Sequence, residues 1–135
     1  MTIVEAARKY LGVPFRHRGR LPSRLDCVGL IVLARQDCGY EVRNDEKHYG
    51  REPHADGLRE HLQLEFGEPR SDIQVGDIAL IAYNTEIPHH VAIVGDYVYG
   101  GLSLIHADGL IGRVVEHRLD DKWRGLILET YRDGE

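Results

Sequence analysis

Asp26-Cys27-Val28-Gly29-Leu30 opens an apolar run that continues through Ile31, Val32, Leu33 and Ala34 to about Cys38, and its reading decides the fold. Apolar side chains fall nearly all round a helical projection of this run. That is the pattern of a helix enclosed by other layers rather than one lying on a surface. Asp26 stands where an N-cap belongs, and Gly39 stands where a left-handed C-terminal residue belongs. The spacing therefore predicts a core helix from about Asp26 to Cys38, with Cys27 in its first turn. Free backbone N–H groups and the helix dipole at that end favour a thiolate, so the expectation is a lowered cysteine pKa and a candidate nucleophile. Taken alone, one cysteine reads equally well as a buried structural thiol.

Upstream, Thr2-Ile3-Val4-Glu5 has the form of a capping box, followed by Ala6, Ala7, Tyr10 and Leu11 at helical spacing. A first helix is expected to end at Gly12, and Pro14 excludes its continuation. Phe15 to Leu25 carries arginines at 16, 18, 20 and 24 and reads as an exposed, solvated connection. Downstream, Tyr40 to Pro53 is polar and turn-rich. Helical spacing returns over Ala55 to Phe66 through Leu58 and Leu62, weakened by Gly57 and stopped by Gly67 and Pro69. From Ile73 the chain changes to short β-branched runs, predicting strands near Asp77–Tyr83, His90–Gly95, Leu102–Ala107, Arg113–His117 and Leu126–Tyr131. Helices first and strands second predict an α+β fold, with N-terminal helices packed on a central antiparallel sheet of about five to six strands.

At 135 residues the chain fits one domain spanning 1–135. Apolar residues at 42% and charged residues at 29% are ordinary for a compact chain, and no apolar run is long enough to cross a membrane. A formal charge of -5 with both signs interspersed offers no basic face, which excludes nucleic acid as an expected partner. The opening residues are charged and lack the apolar segment of a signal peptide, so classical secretion is not expected. Cys27 and Cys38 would lie roughly 16 Å apart on one helix, beyond the reach of a disulfide, and both are expected as free thiols.

A thiol nucleophile needs a base, and the base needs an orienting group. His90 opens one expected strand and His106 closes the next, so antiparallel pairing would bring the two imidazoles to one end of the sheet. If the helix start packs there, Cys27, His90 and His106 form a nucleophile, base and orienter in that order. The same three residues are also a conceivable catalytic zinc set, but no paired-ligand spacing such as HExxH or CxxC supports it, so neither metal nor cofactor is expected. His89 points to the opposite face from His90 and reads as a rim residue. His17, His48, His54, His61 and His117 are assigned no chemistry, and Asp77 reads as a turn residue leading into a strand.

Five stretches occur in order with compatible gaps: Ala7-Arg8-Lys9-Tyr10-Leu11-Gly12-Val13-Pro14-Phe15, Asp26-Cys27-Val28-Gly29-Leu30, Val75-Gly76-Asp77-Ile78-Ala79-Leu80, His90-Val91-Ala92-Ile93-Val94 and Ile105-His106-Ala107. Together they resemble the NlpC family of cell-wall cysteine peptidases. The resemblance implies a stripped-down papain-like fold and cleavage within peptidoglycan stem peptides, most often between D-glutamate and diaminopimelate. By position it implies Cys27 as nucleophile, His90 as general base, His106 as the third residue and Asp26 as a substrate-binding residue. Many members carry Ser after the cysteine and Tyr after the proline, where this chain has Val28 and Phe15, which weakens the implied selectivity for a free stem-peptide amine. Val114-Val115-Glu116-His117 with Trp123 is similar to the bacteriophage-tail and gene-transfer-particle branch. That likeness implies virion association and other tail proteins as partners. A different class remains open, a non-catalytic tail assembly or adaptor protein keeping the same fold.

Overall fold

The computed structural model describes residues 1–41, 57–83 and 88–132. Helix α1, Ile3–Arg8, starts on the expected capping box: the Thr2 hydroxyl accepts from the Glu5 backbone N–H at 3.1 Å, and Glu5 accepts from the Thr2 N–H at 3.0 Å. It stops before the expected Gly12. The following residues form i to i+3 turns, and Gly12, at φ +86°, donates its N–H to the carbonyl of Val114, distant in the sequence. A long-range main-chain bond thus draws the chain out of the helix earlier than the periodicity indicates.

The connection is exposed at Arg16, Arg18 and Arg24, as expected, but it is also folded. Strands β1, Arg20–Leu21, and β2, Arg24–Leu25, pair antiparallel around Pro22 and Ser23. Helix α2, Cys27–Asp37, follows at once, with Asp26 as its N-cap and Gly39, at φ +88°, just past its end. Helix α3 is Gly57–Phe66. Its expected first residues from Ala55, and also His48 and His54, lie outside the described residues.

The strand half reads as β3 (Ile78–Ile81), β4 (His90–Asp96), β5 (Leu102–Asp108) and β6 (Arg113–Arg118), then a short helix α4 (Asp121–Arg124) and β7 (Ile127–Tyr131). Helix α4 was not expected from the sequence. The sheet runs β6-β5-β4-β3-β7 with every neighbouring pair antiparallel, which is the expected α+β arrangement with five strands in this sheet. Asp77 is the expected turn residue, accepting from the Gln74 N–H at 2.8 Å, and it also pairs with Arg132 at 2.7 Å.

Alternation along the strands divides the core into two layers. Ile78, Leu80, Val91, Ile93, Ile105, Ala107 and Val114 pack with Leu30, Ile31 and Ala34 of α2 and with Val4, Ala6 and Ala7 of α1. Ala79, Ile81, Ala92, Val94 and Leu104 pack on the other face with Leu119, Trp123 and Ile127. Because both faces are covered, β3, β4 and β5 are buried nearly throughout. On the helical side α1 is tied down by Arg8, which donates to both carboxylate oxygens of Glu116 at 3.0 and 2.8 Å, while the Ser103 hydroxyl donates to the same carboxylate at 2.7 Å.

Candidate active site

Cys27 is the first residue of α2, and its placement begins with Asp26. Only 2% exposed, Asp26 accepts from the Gly29 N–H at 2.7 Å, from Arg20 Nη1 at 2.9 Å and from the Arg18 N–H at 3.0 Å. The carboxylate therefore closes the helix start and ties the β1–β2 hairpin onto it. Burial raises its pKa, and the Gly29 N–H and the Arg20 charge oppose that rise. Gly29 is required by contact: a Cβ there would sit 2.0 Å from the Gly19 carbonyl oxygen. The expected substrate-binding carboxylate is thus committed to the protein's own donors, and the arginine-rich connection is a clamp on the helix start.

The Cys27 thiol meets the backbone N–H of Val91, one residue past His90, as well as that of Val28. Helix start and strand start therefore come together, as expected. His90 and His106 also meet as expected, with His90 Nε2 2.7 Å from His106 Nδ1 and the rings edge to face. They are diagonal neighbours on β4 and β5, on the sheet face that carries Ala92 and Leu104.

The chain of imidazoles is longer than expected. His106 Nε2 lies 2.8 Å from His117 Nε2, and His117 Nδ1 lies 3.0 Å from the Arg118 carbonyl oxygen. The Trp123 indole packs on both rings, with centroids 5.4 Å from His106 and 4.7 Å from His117. Tyr83 stacks on His90 at 5.6 Å, touches the indole edge-on at 5.7 Å and lies in the field of Cys27 and Asp108. His89 does lie at the margin, half-buried and 4.7 Å from the Tyr83 ring. No motif announces His117, Tyr83 or Trp123 as parts of this cluster. Counting back from the turn that pairs Asp108 with Arg113 does put His117 opposite Leu104, diagonal to His106 and on its face.

Electrostatics overturn one expectation. Burial pushes the Cys27 thiol up to about 12, and the adjacent Asp26 carboxylate pushes the same way, outweighing the N–H groups and Arg20 that favour the thiolate. His90 is 6% exposed, and burial, followed by the His106, His89 and His117 charges, holds its pKa well below the ordinary histidine value. Burial, then the His117 charge, lowers His106 to about 4, while Asp108 acts the other way. The same burial raises Tyr83. Burial therefore disfavours the thiolate at Cys27 and the imidazolium at His90 and His106, the reverse of what the helix end alone predicts for the thiol.

Residues 12–126 match the NlpC/P60 family. The chain belongs to the NlpC/P60 family. Among solved structures this NlpC/P60 chain is similar to the NlpC/p60 domain of the peptidoglycan hydrolase SagA, at 22% identity and a TM-score of 0.66, covering 97% of this chain and 96% of that one. It is similar to an NLP/P60 family lipoprotein-like protein of Staphylococcus aureus, at 20% identity and a TM-score of 0.63 over 97% of this chain, but spans only 40% of that protein. An N-acetylmuramoyl-L-alanine amidase from Bacteroides uniformis shares the fold at 13% identity and a TM-score of 0.60, with 96% and 95% covered. These likenesses show the shared papain-like fold. No curated protein sequence matches the chain.

Proposed function

We propose that this NlpC/P60 domain is a cysteine peptidase that hydrolyses an amide bond in peptidoglycan stem peptides, with Cys27 as nucleophile, His90 as general base and His106 as the residue orienting it. The observation that carries the reading is the 2.7 Å bond from His90 Nε2 to His106, which leaves His90 Nδ1 as the nitrogen for the thiol at the start of α2. SagA and the Bacteroides amidase, named for peptidoglycan and muramoyl-alanine amide cleavage, support the substrate class.

Attack and proton transfer are coupled in this mechanism, because neither ion is favoured in the resting site. As the substrate carbonyl arrives, the Cys27 S–H proton passes to His90 Nδ1 and the sulfur bonds to the carbonyl carbon. Backbone N–H groups at the start of α2 stabilise the oxyanion. Collapse returns the proton to the departing amine and leaves a thioester, which water, activated by His90, hydrolyses to the free acid. Asp26 acts by holding the helix start and hairpin in place rather than by touching substrate. A zinc-centred reading fits less well, since the facing nitrogens of His90 and His106 are 2.7 Å apart and bonded to each other. Among the described residues no group of three ligating side chains is arranged for a metal.

The D-glutamyl-diaminopimelate bond is the scissile bond we propose from the family resemblance, and a phage tail is the setting we propose from residues 114–117 with Trp123. Wild-type protein incubated with purified peptidoglycan is expected to release new amines, with mass spectrometry of the muropeptides placing the cut, and Cys27→Ala is expected to release none. Equal release by both would end this reading, and release by neither would favour the non-catalytic tail-protein one.

A further inference from the structure

A backbone carbonyl can only accept a hydrogen bond, so the His117 nitrogen that meets the Arg118 carbonyl at 3.0 Å carries a hydrogen. In a neutral imidazole the other nitrogen is then bare. With His117 neutral, its Nε2 therefore accepts, and its partner 2.8 Å away, His106 Nε2, donates. By the same rule His106 Nδ1 is bare and accepts from His90 Nε2 at 2.7 Å. His90 Nδ1 is left without a proton, the state that a base facing a thiol needs.

We propose that His117 is a positioning residue that sets the tautomers of His106 and His90 through this chain of three imidazoles, with the Arg118 carbonyl as its fixed end. The proposal deepens the catalytic reading and rests on it for its consequence in turnover, but the tautomers themselves do not depend on any activity. Without the anchor, the bond from His90 to His106 could form with the hydrogen on either ring. One of the two arrangements puts the hydrogen of His90 on Nδ1 and blocks proton uptake. Trp123 lies against both His106 and His117 and shields the bond between them. The anchoring carbonyl belongs to the last residue of β6, whose strand pairing holds it in place.

The test uses the full chain labelled with 15N histidine at about pH 8, where free histidine is neutral. Long-range proton–nitrogen correlations distinguish ring nitrogens that bear hydrogen from bare ones. The expected wild-type pattern is hydrogen on Nε2 of His90 and His106 and on Nδ1 of His117. In His117→Phe, His106 and His90 are expected to lose that single pattern, and kcat to fall roughly tenfold with KM within about twofold, the size of one lost hydrogen bond acting on the base. His117→Gln offers an amide oxygen to His106 and is expected to restore both. A wild-type spectrum with hydrogen on His90 Nδ1 would overturn the proposal without any variant, as would an unchanged pattern in a folded His117→Phe. The expected tautomers in a protein that cleaves no peptidoglycan would instead sink the proposed function and leave the proton order standing.

Discussion

Cys27 and the imidazoles around His106 owe their chemistry to burial more than to partners. A thiol pushed up to about 12 is almost wholly protonated at neutral pH, so alkylation of Cys27 by iodoacetamide is expected to be slower in the folded protein than in urea at about pH 7. Faster labelling in the folded protein well below about pH 8 would mean a resting ion pair. For His106 the folded pKa, about 4, lies below the ordinary value, so the unfolded chain binds the extra proton first on acidification. Stability is full above about pH 6.5 and is lost as pH falls toward the folded value, by about 1.4 kcal/mol per pH unit for such a group. Urea midpoints measured across that window are expected to fall, and to fall less steeply in His106→Asn. Cys27, His90 and His106 were legible because each stands at the start or end of an apolar run. His117 was not, because it sits inside a mixed strand and acquires meaning only from the β5–β6 pairing.

At the scale of the element, the start of α2 and the β1–β2 hairpin form one unit, joined by Asp26 and by the contact of Gly29 with Gly19. Gly29→Ala places a methyl 2.0 Å from a backbone oxygen and, although alanine is the better helix former, is expected to destabilise the fold by about 1–3 kcal/mol in urea denaturation. An unchanged or raised midpoint would show that the hairpin yields freely. Helix α2 was readable to within a residue because its cap, its all-round apolar pattern and Gly39 agree. The hairpin was not, since two-residue strands carry no alternation and the arginines that look solvated include one, Arg20, whose charge is spent on Asp26. Helix α1 ended early for a related reason: the Gly12 bond to Val114 joins residues far apart in the sequence and leaves no local trace.

Across the whole molecule, five short strands and the helices before them were plain from the change of period near Ile73. The strand order was not, and neither was α4, four residues whose role is to carry Trp123 onto the histidines. The order β6-β5-β4-β3-β7 matters for function because it puts β4, β5 and β6 side by side, so that one imidazole from each strand joins a single chain whose end, His90, adjoins Val91, the residue bonded to the Cys27 thiol. The measurement closest to the central claim is mass spectrometry of enzyme quenched with acid while it turns over a soluble stem peptide. An acyl group on the peptide containing Cys27, absent in Cys27→Ala, is the predicted result. Cleavage that continues in Cys27→Ala, or an acyl group carried by any other residue, would contradict it.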